Sequence, residues 1–161
     1  MRRKDRQVTD IEDIVSIIQK CNVIHLGMVD EGKPYIVPLN FGLQTEGEHL
    51  SFYFHSAGEG RKIDILQKNP FVCFEMENFI DLYRDELVCK WSTQYETVMG
   101  EGIVTFIDDA KEKETAFINI VRRSGFKGNI NFNPALFTVA KVYRLDVRHI
   151  TAKRNIKENA Q

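Results

Sequence analysis

The chain has 161 residues, 43% apolar and 28% charged, with a formal charge of −1, which describes one globular domain long enough to bury a real core. Near-neutrality gives no electrostatic case for nucleic acid or a membrane surface. No apolar run approaches the ~20 residues of a spanning helix, and the basic start MRRKDRQVTD lacks the apolar centre of a signal peptide, so a cytoplasmic location is expected.

Thr9 opens TDIE, a capping box closed by Glu12, and Ile11, Ile14, Val15 and Ile18 follow at helical spacing. NVIHLGMV reads as a strand with Ile24, Leu26 and Met28 on one face. DEGKP is a turn, YIVPLNFGL a second strand, QTEGEH a turn and LSFYFH a third strand with Leu50, Phe52 and Phe54 on one side. Strands joined by such short turns predict an antiparallel meander. A helix is expected from Gly60 to Lys68, stopped by Asn69 and Pro70. FVCFEME is a fourth strand, and Asn78 to Lys90 reads as partly irregular. YETVMGEGIVTFID is a long strand with Gly100 and Gly102 as bending points. Asp108 and Asp109 open a helix through AKEKETAFINIV, RRSGFKGNINFNP is a loop, LFTVAKVYRLDV is the last strand and KRNIKENAQ a polar tail. Roughly six strands with short helices between them predict a closed or nearly closed antiparallel barrel.

Cys21, Cys73 and Cys89 stand far apart, without CxxC or HExxH spacing, so no metal is expected and the cysteines read as buried thiols in a reducing compartment.

The stretch FYFHSAGEGRKID, Phe52 to Asp64, carries the strongest chemical signal. Ser56, Ala57, Gly58 and Gly60 have little side chain, so their backbone N–H groups can approach a ligand. Arg61 and Lys62 follow in the first turn of a helix, where cations conflict with the helix dipole. Either the two cations are solvated at an ordinary glycine turn, or an anion at the helix N-terminus resolves the conflict. His55 ends the preceding strand, as a packed structural residue or as a group that meets a ligand. Pro38 in IVPLNF places that strand at a sheet edge, since proline lacks a ladder donor. Such an edge leaves the backbone of Leu39 and Asn40 free to bond a flat heterocycle, or is simply a protected margin. Trp91, Tyr95 and Thr97 beside two glycines are either barrel core or the wall of a planar ligand site.

In order and spacing, GKPYIVPLNF, FYFHSAGEGRKID, NPFVCFE, YETVMGEG and ITAKR, with the basic start MRRKDR, resemble the FMN-binding split-barrel proteins of the pyridoxamine 5'-phosphate oxidase superfamily, and within it the group related to 5-nitroimidazole resistance proteins. The resemblance implies a mainly β chain: one domain over 1–161, a six-stranded antiparallel split barrel with flanking helices, a short basic N-terminal arm and a polar C-terminal tail. It implies a homodimer with FMN in a groove at the subunit interface. Arg61 and Lys62 would hold the phosphate with the backbone near Ala57 and Gly60. Val37, Pro38, Leu39 and Asn40 would lie along the isoalloxazine ring, His55 near the flavin or substrate, and Thr97, where relatives often carry serine, would add a polar contact. Ala152 stands where a glycine is usual, which detaches Lys153 and Arg154 from any implied ligand role. The implied activity is FMN-dependent oxidoreduction of a small, nitroaromatic-like acceptor, with His55 as the candidate catalytic residue. The alternatives are a flavin or haem carrier without turnover, with His25 or His55 as haem ligand, and a pyridoxamine 5'-phosphate oxidase-like enzyme.

Overall fold

The structure, a computed structural model, describes residues 3–133, 137 and 139–156. Met1, Arg2, Pro134, Ala135, Leu136 and Thr138, and residues 157–161 of the expected tail, lie outside the described residues. Eight strands are present among the described residues: β1 (Gln7–Val8), β2 (Ile24–Asp30), β3 (Lys33–Leu39), β4 (Gly42–Glu46), β5 (His49–Ser56), β6 (Phe71–Tyr83), β7 (Ser92–Ile107) and β8 (Lys141–Asn155). Three α-helices accompany them: α1 (Ile11–Lys20), α2 (Arg61–Lys68) and α3 (Ala110–Arg123). None is long and apolar enough to cross a membrane.

The sheet runs β3-β2-β6-β7-β8-β5-β4, with every described pair antiparallel and β1 added onto β8. The expected meander is therefore two hairpins, β2–β3 and β4–β5, at opposite ends of the sheet. The single strand read over YIVPLNFGL breaks at Asn40 and Phe41, and its two halves become the two sheet margins. Two margins joined by so short a link must curl toward each other, which gives a barrel split between β3 and β4. The strand count rises from the expected six because of this break and because of β1.

Alternation builds the core. Ile24, Leu26 and Met28 of β2, Phe52 and Phe54 of β5 and Val72, Phe74 and Met76 of β6 are buried. Phe52 meets Phe41 and Phe74 edge-on at 5.4 and 5.2 Å, the arrangement aromatic quadrupoles prefer. α1 buries Ile14, Ile17 and Ile18, each worth about 1.5–3 kcal/mol of transfer free energy. Its cap is Asp10 rather than Thr9: the Asp10 carboxylate accepts from the N–H groups of Glu12 and Asp13. Arg122 and Arg123, expected in a loop, complete α3. Arg123 closes the other end of α1, donating to the carbonyls of Ile18 (2.6 Å) and Cys21 while its guanidinium lies 4.0 Å from the centre of the Phe41 ring.

Of the two expected bending points, Gly102 marks a register shift, while Gly100 pairs in register on both sides. The β7–β8 register shifts between Glu101 and Gly102, and any Cβ on Gly102 would collide with the carbonyl of Asp146. In the stretch Asn78–Lys90, expected to be partly irregular, β6 runs on to Tyr83 with a register shift between Phe79 and Asp81, and the irregular chain is Arg84–Leu87. Phe137 and Val139, expected in the last strand, are helical, and β8 starts at Lys141. Of the cysteines only Cys21 is buried, its thiol pushed up to about 11 by desolvation; Cys73 and Cys89 are exposed, on the outward face of β6 and in the turn before β7.

Candidate functional site

β5 ends at Ser56, the chain crosses Ala57 to Gly60, and α2 begins at Arg61. Gly60 is the N-cap residue and holds φ 129° and ψ 161°, a conformation closed to ordinary side chains. With glycine there, no side chain caps the helix. The N–H groups of Ile63 and Asp64 return to the Gly60 carbonyl at 2.8 and 3.1 Å. Those of Arg61 and Lys62 belong to the first turn, whose donors have no intrahelical partner. α1 and α3 differ: Asp10 and Asp109 carboxylates cap them. Of these three helices α2 alone starts without a side-chain cap; Asp64 in its first turn is exposed and makes no capping bond.

Lys62 is half-buried beside this turn. Its Nζ lies 5.8 Å from the centre of the Tyr143 ring, it makes no ion pair among the described residues, and burial lowers its pKa. Tyr143 is fully buried, and its hydroxyl has no hydrogen bond of ordinary geometry among the described residues. The Ser56 hydroxyl donates to the carbonyl of Ala57 at 3.0 Å. Glu59 is the acidic residue within the turn, and it is exposed. The inward-facing set is thus an ammonium, two hydroxyls and helix-start N–H groups, all donors. That set suits a phosphate.

Arg61 turns the other way. Its Nε donates to Asp30 at 3.1 Å and its guanidinium sits 4.4 Å from the centre of the Tyr35 ring. This pairing anchors the start of α2 to the β2–β3 hairpin, and so brings the turn beside one end of β3. From Tyr35 to Leu39 that strand extends about 13 Å at 3.3 Å per residue. β3 is a sheet margin, as Pro38 predicts. Val37 and Leu39 are half-buried against the main core, while Pro38 and Asn40 are exposed. What β3 offers a flat ligand is therefore its free backbone edge and the Pro38 side, while the Val37 and Leu39 side chains belong to the core.

His55 lies on the outward face of β5. Its ring packs 5.3 Å from Phe117 of α3, and burial, then the charge of Lys62, lowers its pKa. Phe117 continues into a cluster with Phe132 and Phe137, ring centres 5.3 to 5.9 Å apart. Thr97 is half-buried on β7, in register with Glu77 and Lys153. Thr97 pairs with Lys153 near the end of β8, whereas the turn follows Ser56, which pairs with Lys141 at the start of β8, and two strands also separate Thr97 from β3, so one chain does not bring it to the turn. His25 is held by Glu75 at 3.2 Å, and Arg154 by Glu96 at 2.8 Å. Tyr143, Tyr35 and Asp30 are absent from the sequence-based site. No local pattern marks them, because each meets the turn only through the folded sheet.

A family profile described as pyridoxamine 5'-phosphate oxidase matches residues 10–154, which include every residue of this site. A search of curated proteins returns no match. Among solved structures, a protein from Bacteroides thetaiotaomicron named as a candidate 5-nitroimidazole antibiotic resistance protein is 33% identical, with TM-score 0.81 over 91% of this chain and 85% of its own. The flavocytochrome Anf3 from Azotobacter vinelandii (19% identity, TM-score 0.80, 98% of this chain and 72% of its own) has the same fold. So does an FAD- and haem-binding protein from Mycobacterium smegmatis (12% identity, TM-score 0.76, 96% and 77%). The chain belongs to the pyridoxamine 5'-phosphate oxidase family and has its split-barrel fold.

Proposed function

We propose that this protein binds FMN and works as an FMN-dependent oxidoreductase that reduces a small acceptor of the nitroaromatic kind. One observation carries the reading: Lys62 is half-buried without a counter-ion, at a helix start that no side chain caps. A cation held there lacks a partner that a phosphate supplies. The β3 margin beside it offers backbone donors and acceptors to a flat ring. The 33% identical Bacteroides protein supports the nitro-compound direction by its name.

Bound FMN would supply the electron chemistry through its ring. The chain's own residues have narrower tasks. Lys62 and the first-turn N–H groups of α2 hold the phosphate, and Arg61 joins them by releasing Asp30. The backbone of Val37, Pro38, Leu39 and Asn40 orients the ring along the sheet margin, and His55 with Phe117 shields the phosphate end from water. The outward sheet face carries Ile36, Phe71 and Phe79, each more than 60% exposed. We infer that a second copy covers this face, which also holds Thr97, and that the flavin groove lies between the two copies.

The test is a titration of the purified protein with FMN, followed by its visible absorbance, beside Lys62→Ala. Loss of a charge-assisted phosphate contact, about 1.5–3 kcal/mol, predicts affinity weaker on the order of 10- to 100-fold. A wild-type protein that acquires no flavin spectrum, or a variant with unchanged affinity, rejects the reading. NADH- and NADPH-driven assays with nitroaromatic acceptors then test the reaction itself.

A further inference from the structure

Tyr143 is a core residue with an unmet polar demand. Its ring stacks on Phe54 at 5.3 Å and tilts against Phe106 at 5.8 Å, and the side chain is fully buried, yet its hydroxyl has no hydrogen bond of ordinary geometry among the described residues. Buried polar groups are nearly always hydrogen-bonded, so an exception calls for a cause.

The surroundings supply one. The β5–β8 register pairs Phe54 with Tyr143 and Ser56 with Lys141. Ser56, two residues beyond Phe54, therefore lies diagonally from Tyr143 on the same inward face. Burial pushes the Tyr143 pKa above the ordinary tyrosine value, and a side-chain interaction with the nearby Ser56 hydroxyl opposes this, although no hydrogen bond of ordinary geometry joins the two. The Ser56 hydroxyl is nonetheless turned to the Ala57 carbonyl, at 3.0 Å. Lys62 sits over the Tyr143 ring. From core to rim, an unpartnered phenol, a rotatable hydroxyl and an unpaired ammonium thus stand in sequence.

We propose that Tyr143 is a positioning residue for the anion that the turn receives, acting through Ser56. When a phosphate enters, Ser56 turns its O–H from the Ala57 carbonyl to a phosphate oxygen and accepts the Tyr143 O–H on its own oxygen. One hydroxyl can do both, having one donor and two acceptor sites. The phenol makes a hydrogen bond of good geometry only in the loaded state, so it favours binding from a position no ligand touches. The inference rests on the phosphate half of the flavin reading and makes no use of the ring.

Its signature is a pair of opposite effects. Tyr143→Phe removes an oxygen that makes no hydrogen bond of ordinary geometry in the free protein and makes one in the complex. Thermal melts and titrations with inorganic phosphate and with FMN, on wild type, Tyr143→Phe, Ser56→Ala and the double variant, read both states. Without ligand, Tyr143→Phe is expected to melt no lower than wild type. It should bind FMN about five- to tenfold more weakly, the size of one neutral hydrogen bond, and this loss should vanish in the Ser56→Ala background. A lower melt without ligand, an unchanged affinity, or a loss that persists in Ser56→Ala overturns the relay. The flavin reading is scored separately. If phosphate protects wild type and FMN protects no better, the flavin reading fails and the relay stands on the phosphate data. If neither ligand protects wild type, both fail.

Discussion

Lys62 and Glu96 bury opposite charges under opposite circumstances. Glu96 is 1% exposed and answered by Lys20, Asn78 and Arg154; half-buried Lys62 makes no ion pair among the described residues. A structural charge is surrounded by its partners, and under the proposed function the bare Lys62 is the one that would take its partner from the ligand. His55 stands next to Lys62, more open to solvent but with its ring partly covered by Phe117. The groups around it are Phe117 from α3, Val142 in register from β8, Lys62 from α2, and Lys141 one register step away. No carboxylate offsets the burial, so the folded pKa lies below the ordinary 6.5. The unfolded chain then binds more protons than the native one as pH falls. The free protein is expected to lose stability as pH drops from about 6.5 toward the lowered value, and to level off below it. Histidine proton NMR titration reads the pKa directly. His55→Gln should flatten that part of the stability profile, and Lys62→Met should raise the His55 pKa; a His55 titration at or above the ordinary value contradicts the prediction.

Between elements, the Glu96 carboxylate is the tie. Lys20 Nζ from the last turn of α1 reaches it at 2.9 and 3.0 Å, Arg154 Nε from β8 at 2.8 Å and Asn78 Nδ2 from β6 at 3.0 Å. Burial alone would raise its pKa, but the bonds from Lys20, Asn78 and Arg154 outweigh burial and the net direction is down. Glu96→Gln keeps the shape and leaves two cations facing a neutral group. Breaking a buried pair costs about 3–5 kcal/mol. Lys20 and Arg154 are 46% and 31% exposed and can turn to water, so the low end is expected in urea unfolding near neutral pH. Wild-type stability from this site is present above the ordinary carboxylate pKa and is lost as pH falls through the lowered folded value. The variant should lack that acid limb, and equal stability across the acid range would remove Glu96 from this role. This tie also marks the limit of what the sequence discloses. The partners lie 76, 58 and 18 residues from Glu96, and nothing local in ITAKR or YETVMGEG foretells them. Features set by short-range chemistry were legible: the burial face of β2, the Pro38 margin, the bend at Gly102 and the uncapped turn before α2. Where a local pattern was ambiguous, sequence reading misplaced elements. The register shift after Phe79 hides the continuation of β6. The apolar run at Phe137 and Val139 looks like a strand although its aromatic ring joins the Phe117 cluster. Tyr143 escaped notice because a tyrosine in an alternating strand carries no sign of an unmet hydroxyl.

For the whole molecule, the sheet shows asymmetry between its faces. The inner face is closed by α1 and the barrel core. On the outer face Val29, Ile36, Phe71, Phe79 and Met99 each expose more than half their surface. The register joins them across four strands: Gly27 pairs with both Ile36 and Cys73, and Glu75 with Met99. A cavity of about 390 Å³ bounded by Val29, Pro34, Ile36, Phe71 and Cys73 opens on this face. Scattered exposed apolar residues are ordinary, whereas contiguous ones mark a contact surface. An apolar sheet face of this kind suits the proposed two-fold pair, with a stable interface burying roughly 1,200–2,000 Å² in total. Ile36→Lys places an ammonium in the middle of that contact, where each copy would bury a charge without a partner. Ile36 is 65% exposed in the single chain, so the substitution should leave the monomer fold intact by circular dichroism. Sedimentation is expected to give a dimer for wild type and a monomer for Ile36→Lys. The monomer should also hold FMN more weakly although Lys62, Ser56 and Tyr143 are untouched, because the groove would have lost its second wall. A variant that stays dimeric removes this face as the contact, and a monomer with full flavin affinity confines the site to one chain.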